Sequence, residues 1–451
     1  MLLQNNLNNY LLSVAAFLLV SPVHDVLCFT LPHYQFQIHH LQEFEGIGIT
    51  CIHPVPRTNK PGVVAEDETK EFYAGTKRGK IKHVVISPTY FDESKSSQLQ
   101  VNDVDFNFND CKIQLKPYPI YSMTVFPKLF SAEESEHNCL SYDLLTGGGD
   151  RYITIWGTEA TEHHRNLNPI RQLGPHTGWV KDLASINSMR SESNDDCLLF
   201  SIGCNCIEVW DHSHLEYQHI HKLKIESSVE MGSTLSSDLL CLETYFCGED
   251  GIIKSNQLAD ANAYLVAGGV DGRLHRWLLP SHSLDQRKSK KLFVTSGAIP
   301  VHTGRLNRIL VLDKLGALLT VGSDGYVTCQ TISSQPLEEW EATSINTNDG
   351  LSSDSPIKLT ASCIVLEDYT RTIVFVGSSC GKLFLLQISR KGNGNLGLTL
   401  LTKSDVNSRH GQMDGIHSLC SFECNGSDGR FSTVVVGHSN GLAICKVHLE
   451  S

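Results

Sequence analysis

The chain has little charge and no apolar run of membrane-spanning length, and each shortage excludes something. Only 19% of its 451 residues are Asp, Glu, Lys or Arg, and the net charge is −12. A duplex-binding protein shows a basic stripe or patch. None is visible, so no direct nucleic-acid contact is expected. The one compact basic run, Arg287-Lys288-Ser289-Lys290-Lys291, reads as a solvated loop rather than a nuclear import signal. The apolar run Leu11–Val20 is ten residues long, whereas a spanning helix needs roughly 20, so no membrane span is expected. Also missing are a Walker-type phosphate loop, a Gly-x-Ser-x-Gly nucleophile elbow and any carboxylate pair placed as acid and base. Gly147-Gly148-Gly149 is Gly-rich but has no following helix to hold a phosphate. No catalytic residue, cofactor or metal is expected, and the chain reads as a non-enzyme.

Cysteine is plentiful, with 15 residues, but a disulfide-scaffold rhythm is lacking. The count is odd, and Cys206, Cys329, Cys363 and Cys445 fall inside predicted strands, where a free thiol acts as a small apolar filler. That favours a reducing compartment, cytoplasmic or nuclear. The alternative is a secretory or plastid protein, with Leu11–Val20 as a signal-peptide core. Against it, no Lys or Arg precedes the run, and Pro22, His24 and Asp25 follow it in place of a cleavage site. Residues 1–30 are therefore an N-terminal extension or an extra hairpin. Residues 31–451 are expected to form a single domain.

What is present is one pattern repeated seven times. Apolar runs lead into turns rich in Gly, Asp, Asn or Ser and then into alternating runs. Examples are LLTGGGDRYITIWG from Leu144, LLFSIGCNCIEVWD from Leu198, YLVAGGVDGRLHRWLL from Tyr264 and LLTVGSDGYVTCQTI from Leu318. Others begin at Phe72, Thr372 and Thr433. Each is a hairpin signature, and self-similarity of this kind marks a solenoid or a propeller. The first strong glycine of each hairpin is Gly75, Gly147, Gly203, Gly268, Gly322, Gly377 and Gly437, at successive gaps of 72, 56, 65, 54, 55 and 60 residues. A compact propeller repeat takes roughly 40–45. The surplus falls in polar loops.

On these hairpins the chain resembles the WD-repeat propellers from about Tyr34 onward. The resemblance implies an all-β, seven-bladed propeller. It also implies a buried hydrogen-bond chain in each blade: a His before the first strand, a hydroxyl on the second, an Asp in the turn and a Trp on the third. Such a network pins one register, because buried polar groups must be paired. The pattern is matched in part. His176, Ser201 and Trp210 fit, with Asn205 in place of Asp and one position nearer the Trp. Thr146, Asp150 and Trp156 fit without an evident His. Asp271 and Trp277 fit, with Ala267 at the hydroxyl position. His302, Thr320 and Asp324 fit, with Gln330 for Trp. The last two repeats carry Cys380 and Asn440 for Asp, and Val376 and Val436 for the hydroxyl.

The last repeat lacks its fourth, outer strand, and Tyr34–Leu41 is suited to supply it and so tie the ring. This makes seven blades; the alternative is eight, with Leu11–Phe29 as a further hairpin. His212, His214, His219 and His221 cluster after Cys204 and Cys206, and His219 and His221 would share a strand face. Their spacing matches no zinc pattern, and an exposed strand with polar filler is favoured.

The lead-in turn Pro175-His176-Thr177-Gly178-Trp179 is echoed by Pro300-Val301-His302-Thr303-Gly304-Arg305. In the WD-repeat family the residue after this turn lies on the narrower rim, where partners dock. Trp and Arg are enriched as interface anchors. Trp179 and Arg305 are thus candidate docking residues, with Lys181 and Arg308 as accessories. The resemblance implies a non-catalytic scaffold that binds other proteins within a complex. A substrate receptor of ubiquitin ligases would carry Trp-Asp-x-Arg, and Trp210-Asp211-His212-Ser213 lacks the Arg. The rival class is a propeller enzyme or metal-dependent protein of a secretory or plastid compartment.

Overall fold

The glycine at the end of each hairpin's first arm explains how the repeats are joined. In the computed structural model a methyl group on Gly437 would lie 2.7 Å from Ile49 Cγ2, and one on Gly268 would lie 2.3 Å from Leu306 Cδ2. Gly75, Gly147 and Gly377 meet Ile120, Val180 and Ile416 in the same way. Each contact brings the first apolar residue of the next repeat onto bare backbone. Gly203 and Gly322 instead receive the rings of His176 and His302 from their own repeats.

The structure describes residues 36–55, 70–86, 99–103, 117–127, 142–160, 165–187, 197–213, 216–225, 238–248, 262–279, 293–347, 357–392, 394–406, 415–426 and 429–448. The Leu11–Val20 run, the proposed Leu11–Phe29 hairpin, His214 and the Arg287–Lys291 run lie outside these residues.

The strands form seven four-stranded antiparallel sheets. Blade 1 holds β2 (Ile49–Pro54), β3 (Lys70–Thr76), β4 (Ile81–Ile86) and β5 (Leu99–Asp103). Blade 2 holds β6 (Ile120–Pro127), β7 (Tyr142–Gly148), β8 (Ile153–Ala160) and β9 (Arg165–Leu173). Blade 3 holds β10 (Val180–Asn187), β11 (Cys197–Gly203), β12 (Cys206–Ser213) and β13 (Glu216–Lys224). Blade 4 holds β14 (Leu239–Cys247), β15 (Asn262–Gly269), β16 (Arg273–Leu278) and β17 (Val294–Pro300). Blade 5 holds β18 (Leu306–Leu312), β19 (Ala317–Gly322), β20 (Tyr326–Thr331) and β21 (Ala342–Asn346). Blade 6 holds β22 (Leu359–Glu367), β23 (Arg371–Ser378), β24 (Lys382–Arg390) and β25 (Leu396–Asp405). Blade 7 holds β26 (Ile416–Gly426), β27 (Gly429–His438) and β28 (Gly441–His448), and its outer place is taken by β1 (Phe36–His40).

The β1–β28 pairing runs antiparallel from Phe36 opposite Val447 to His40 opposite Ala443. An early strand thus completes the last sheet, and the chain passes directly into blade 1 through Gly46, whose N–H donates to the Asn440 carbonyl at 2.8 Å. Seven apolar clusters fill the seven blade-to-blade interfaces. The one between blades 7 and 1 includes Ile49, Phe72, Val435 and Ile444. That closed seven-membered ring overturns the eight-blade alternative, because no interface is left open for another sheet.

Burial falls from the inside of each blade outward. β7, β11 and β19 are buried at every position, because a neighbouring blade covers each face. Outer strands β13 and β21 are largely exposed or half-buried. This gradient is why continuous apolar runs mark the second strands, while the outer strands carry little sequence signal.

Candidate partner-docking rim

Antiparallel pairing puts the lead-in to each first strand and the turn between second and third strands at one end of the blade. In blade 3, Val180 opens β10 opposite Gly203, and Gly203 faces Cys206 at the start of β12. The candidate residues therefore gather on one rim.

Beneath that rim lie the hydrogen-bond chains. In blade 3 the Trp210 indole N–H donates to Ser201 Oγ at 2.9 Å, and Ser201 Oγ lies 2.7 Å from His176 Nε2. His176 Nδ1 is 3.1 Å from the Arg151 carbonyl. A carbonyl only accepts, so Nδ1 carries the proton, Nε2 accepts from Ser201, and the chain has one direction throughout. Burial holds His176 below its ordinary pKa, in the neutral form this order requires. The place expected for Asn205 is thus taken by a backbone carbonyl of blade 2. Asn205 is exposed, because the link between Ile202 and Ile207 is one residue shorter than that between Val321 and Val327 in blade 5. The shorter turn leaves the side chain no route back to the histidine.

Blade 5 has the acid. His302 Nδ1 lies 3.1 Å from Asp324 Oδ1, and His302 Nε2 lies 3.0 Å from Thr320 Oγ1. The carboxylate also accepts the N–H groups of Thr303 at 2.9 Å and Tyr326 at 3.1 Å. Against the opposing effect of burial, His302 first and then these N–H donors hold Asp324 below its ordinary pKa. Gln330, at the Trp position, is buried, and its Oε1 has no partner among the described residues. In blade 2 the Trp156 indole donates to Thr146 Oγ1 at 2.9 Å, and Asp150 accepts the Tyr152 N–H at 3.2 Å. In blade 4, Asp271 accepts the Arg273 N–H at 3.1 Å and lies 3.6 Å from His275, while Trp277 stacks on His275 beside Ala267.

Every first strand carries a register irregularity at its start, such as Ile120/Ser122 in β6 and Val180/Leu183 in β10. A bulge turns one side chain out of the pleat. In three blades that side chain staples the ring. Thr50 donates to the Ile120 carbonyl, Asn307 to the Leu359 carbonyl at 2.6 Å and Thr360 to the Ile416 carbonyl at 2.5 Å. In blades 2 and 3 the same positions hold Tyr121 and Lys181, and they do something different. Tyr121 stacks on Trp179 with ring centroids 5.7 Å apart, and Lys181 Nζ stands 4.1 Å from the Tyr121 centroid and 4.5 Å from that of Trp179. Trp179 remains 52% exposed. Burial lowers the Lys181 pKa, opposed by Asp238 and reinforced by the nearby Arg305.

Arg305 is exposed, and its N–H donates to Ser323 Oγ at 2.8 Å. Arg308 is paired within the ring: its guanidinium lies 3.4 Å from buried Asp182 on β10. His219 and His221 do not share a ligand. Val209 pairs with His221 and Trp210 with His219, so Ile220 is a bulge and the strand face is broken. His219 Nε2 sits 2.7 Å from Glu208 Oε2, and His221 stacks on Phe293. Tyr121 and Asp182 were missed by motif reading. Their only sequence signal is their place one or two residues after the first apolar residue of an inner strand.

The architecture is that of a seven-bladed β-propeller. Solved structures with this fold include the WD40 repeats of RRP9, at a TM-score of 0.51 and 15% identity over 92% of this chain and 97% of that one. They also include U3-55K, at a TM-score of 0.51 and 16% identity over 92% and 98%. At that identity the likeness extends to the fold. No family model matches the sequence, and no curated protein matches it. Among the described residues no helix is long and apolar enough to cross a membrane.

Proposed function

We propose that this chain is a non-catalytic scaffold that holds other proteins within a multiprotein complex. The observation that carries the reading is Trp179: a large indole, half out in solvent, yet fixed by Tyr121 and Lys181. A rigid, preorganised aromatic anchor loses little entropy on binding. Arg305 is a second anchor on the same rim. A cytoplasmic or nuclear setting fits the free cysteines buried in the blades, such as Cys329 and Cys445. The test is recovery of binding proteins by the Trp179→Ala/Arg305→Ala variant against the natural chain, with folding checked by circular dichroism. Loss of the same proteins supports the reading; unchanged recovery by the folded variant removes these anchors.

A further inference from the structure

The Trp179 cluster is one end of a continuous path of aromatic and cationic groups along the rim of blades 1 to 3. At the far end, the β3–β4 turn presents Lys77, Arg78 and Lys80, all exposed. That turn abuts Tyr118: a methyl on Gly79 would lie 2.6 Å from the Tyr118 carbonyl. Tyr118, 45% exposed, also packs against Gly149 in the β7–β8 turn. The same turn carries exposed Arg151, whose carbonyl accepts the His176 N–H at 2.8 Å in the lead-in to blade 3. From there the chain reaches Trp179, Tyr121 and Lys181.

Three features single out this arc in a chain of net charge −12. Among the described residues, none of Lys77, Arg78, Lys80 and Arg151 is in an ion pair. Of the acidic side chains near the arc, Asp150 is turned to the Tyr152 N–H, and Asp238 acts on Lys181 at the Trp179 end. Arg151 also sits at φ 71°, where the matching turn positions hold Gly79 at 75°, Gly272 at 72°, Gly325 at 84° and Gly381 at 77°. An arginine at a position where glycine is unstrained is local backbone strain of the kind that clusters at ligand contacts.

Resting on the reading of this rim as a docking surface, we infer that the arc from Lys77 to Trp179 binds an extended, carboxylate-rich peptide segment of a partner protein. Its acidic groups lie along Lys77, Arg78, Lys80 and Arg151, and one apolar side chain sits on Trp179. The cations are spread over separate turns and do not converge as a phosphate pocket would. RNA is disfavoured because Tyr121 and Trp179 already stack on each other and on Lys181.

The experiment is fluorescence anisotropy on the full chain with three probes: a short Glu/Asp-rich peptide carrying one Phe, its Gln/Asn counterpart and oligouridine. The acidic peptide is expected to bind, to weaken with added salt, and to lose about tenfold in affinity with Lys77→Glu/Arg78→Glu/Lys80→Glu. The neutral peptide and the RNA are expected not to bind. Arg151→Gly, which suits the local backbone, is expected to weaken the acidic peptide without loss of folding. Equal affinity for the neutral peptide, preference for RNA, or no change on charge reversal overturns the inference. If the acidic peptide fails while protein recovery still depends on Trp179, the scaffold reading stands and the acidic segment is wrong.

Discussion

Asp182 on β10 and Arg308 on β18 meet at 3.4 Å, although their strands belong to blades 3 and 5. Blade 4 is tied in between, since Asp182 Oδ2 also accepts the Leu242 N–H at 3.0 Å. The other carboxylate oxygen accepts the Leu183 N–H at 3.0 Å. Three consecutive blades are thus held by one buried carboxylate. Arg308→Ala leaves that charge with only backbone donors. The expected loss is about 2 kcal/mol, between the exposed and fully buried limits for an ion pair. Urea unfolding of the two proteins at pH 7 measures it.

Glu243, on the inner strand of blade 4, is pushed up to about 7 by burial and by Asp182, with Arg308 opposing. Between the ordinary glutamate value and pH 7 the folded chain holds a proton that the unfolded chain has released. Stability from this group is therefore full below that window and lost as pH rises through it. Glu243→Gln removes the slope. The variant is expected to match the natural chain near pH 4.5 and to exceed it above pH 7 by at most about 3 kcal/mol. Thermal midpoints at pH 5 and pH 8 check this, and an equal pH dependence in both proteins would refute it.

The hydrogen-bond chains make opposite predictions in two blades. Ser201→Ala strands the Trp210 indole N–H and the His176 Nε2, both buried, and is expected to cost about 2–3 kcal/mol. Gln330→Leu removes a buried carbonyl that has no partner among the described residues. It is expected to be neutral or to stabilise by about 1 kcal/mol. Denaturant midpoints for the pair decide whether satisfied polar groups, rather than polarity as such, stabilise the blades.

Arg276 on β16 is buried between Tyr264 and Trp340, its guanidinium 5.0 and 4.9 Å from the ring centroids. It donates to the Ser333 carbonyl at 3.0 Å and the Gln335 carbonyl at 2.7 Å, and so links blade 4 to blade 5. A planar fork serves two carbonyls and two rings at once; an ammonium does not. Arg276→Lys is expected to destabilise by about 2–3 kcal/mol, read as a lowered urea midpoint without change in far-ultraviolet circular dichroism.

Arg151 separates stability from binding. Its left-handed backbone costs roughly 1–2 kcal/mol for a residue with a Cβ. Glycine relieves that strain but adds freedom to the unfolded chain. Arg151→Gly is expected to leave the melting temperature unchanged or slightly raised while weakening the acidic peptide. A lowered melting temperature would show that the side chain serves folding instead.

The sequence alone determined the seven repeated hairpins; whether a further one made eight blades was decided by the closed ring. Strand alternation and glycine-bearing turns are local, so Leu198–Asp211 identifies its own pairing. The identity of the closing strand was legible too, because one repeat was a strand short. What lies between blades was decided by tertiary structure. Tyr121 on β6 and Trp179 in the lead-in to β10 belong to different blades, and nothing in either segment says that a bulge will turn one ring onto the other. The same holds for Asp182 with Arg308, and for the Arg151 carbonyl that replaces Asn205 at His176. Such contacts depend on the angle at which neighbouring sheets meet around a closed ring. The packing of all seven interfaces sets that angle together, and no single repeat carries it.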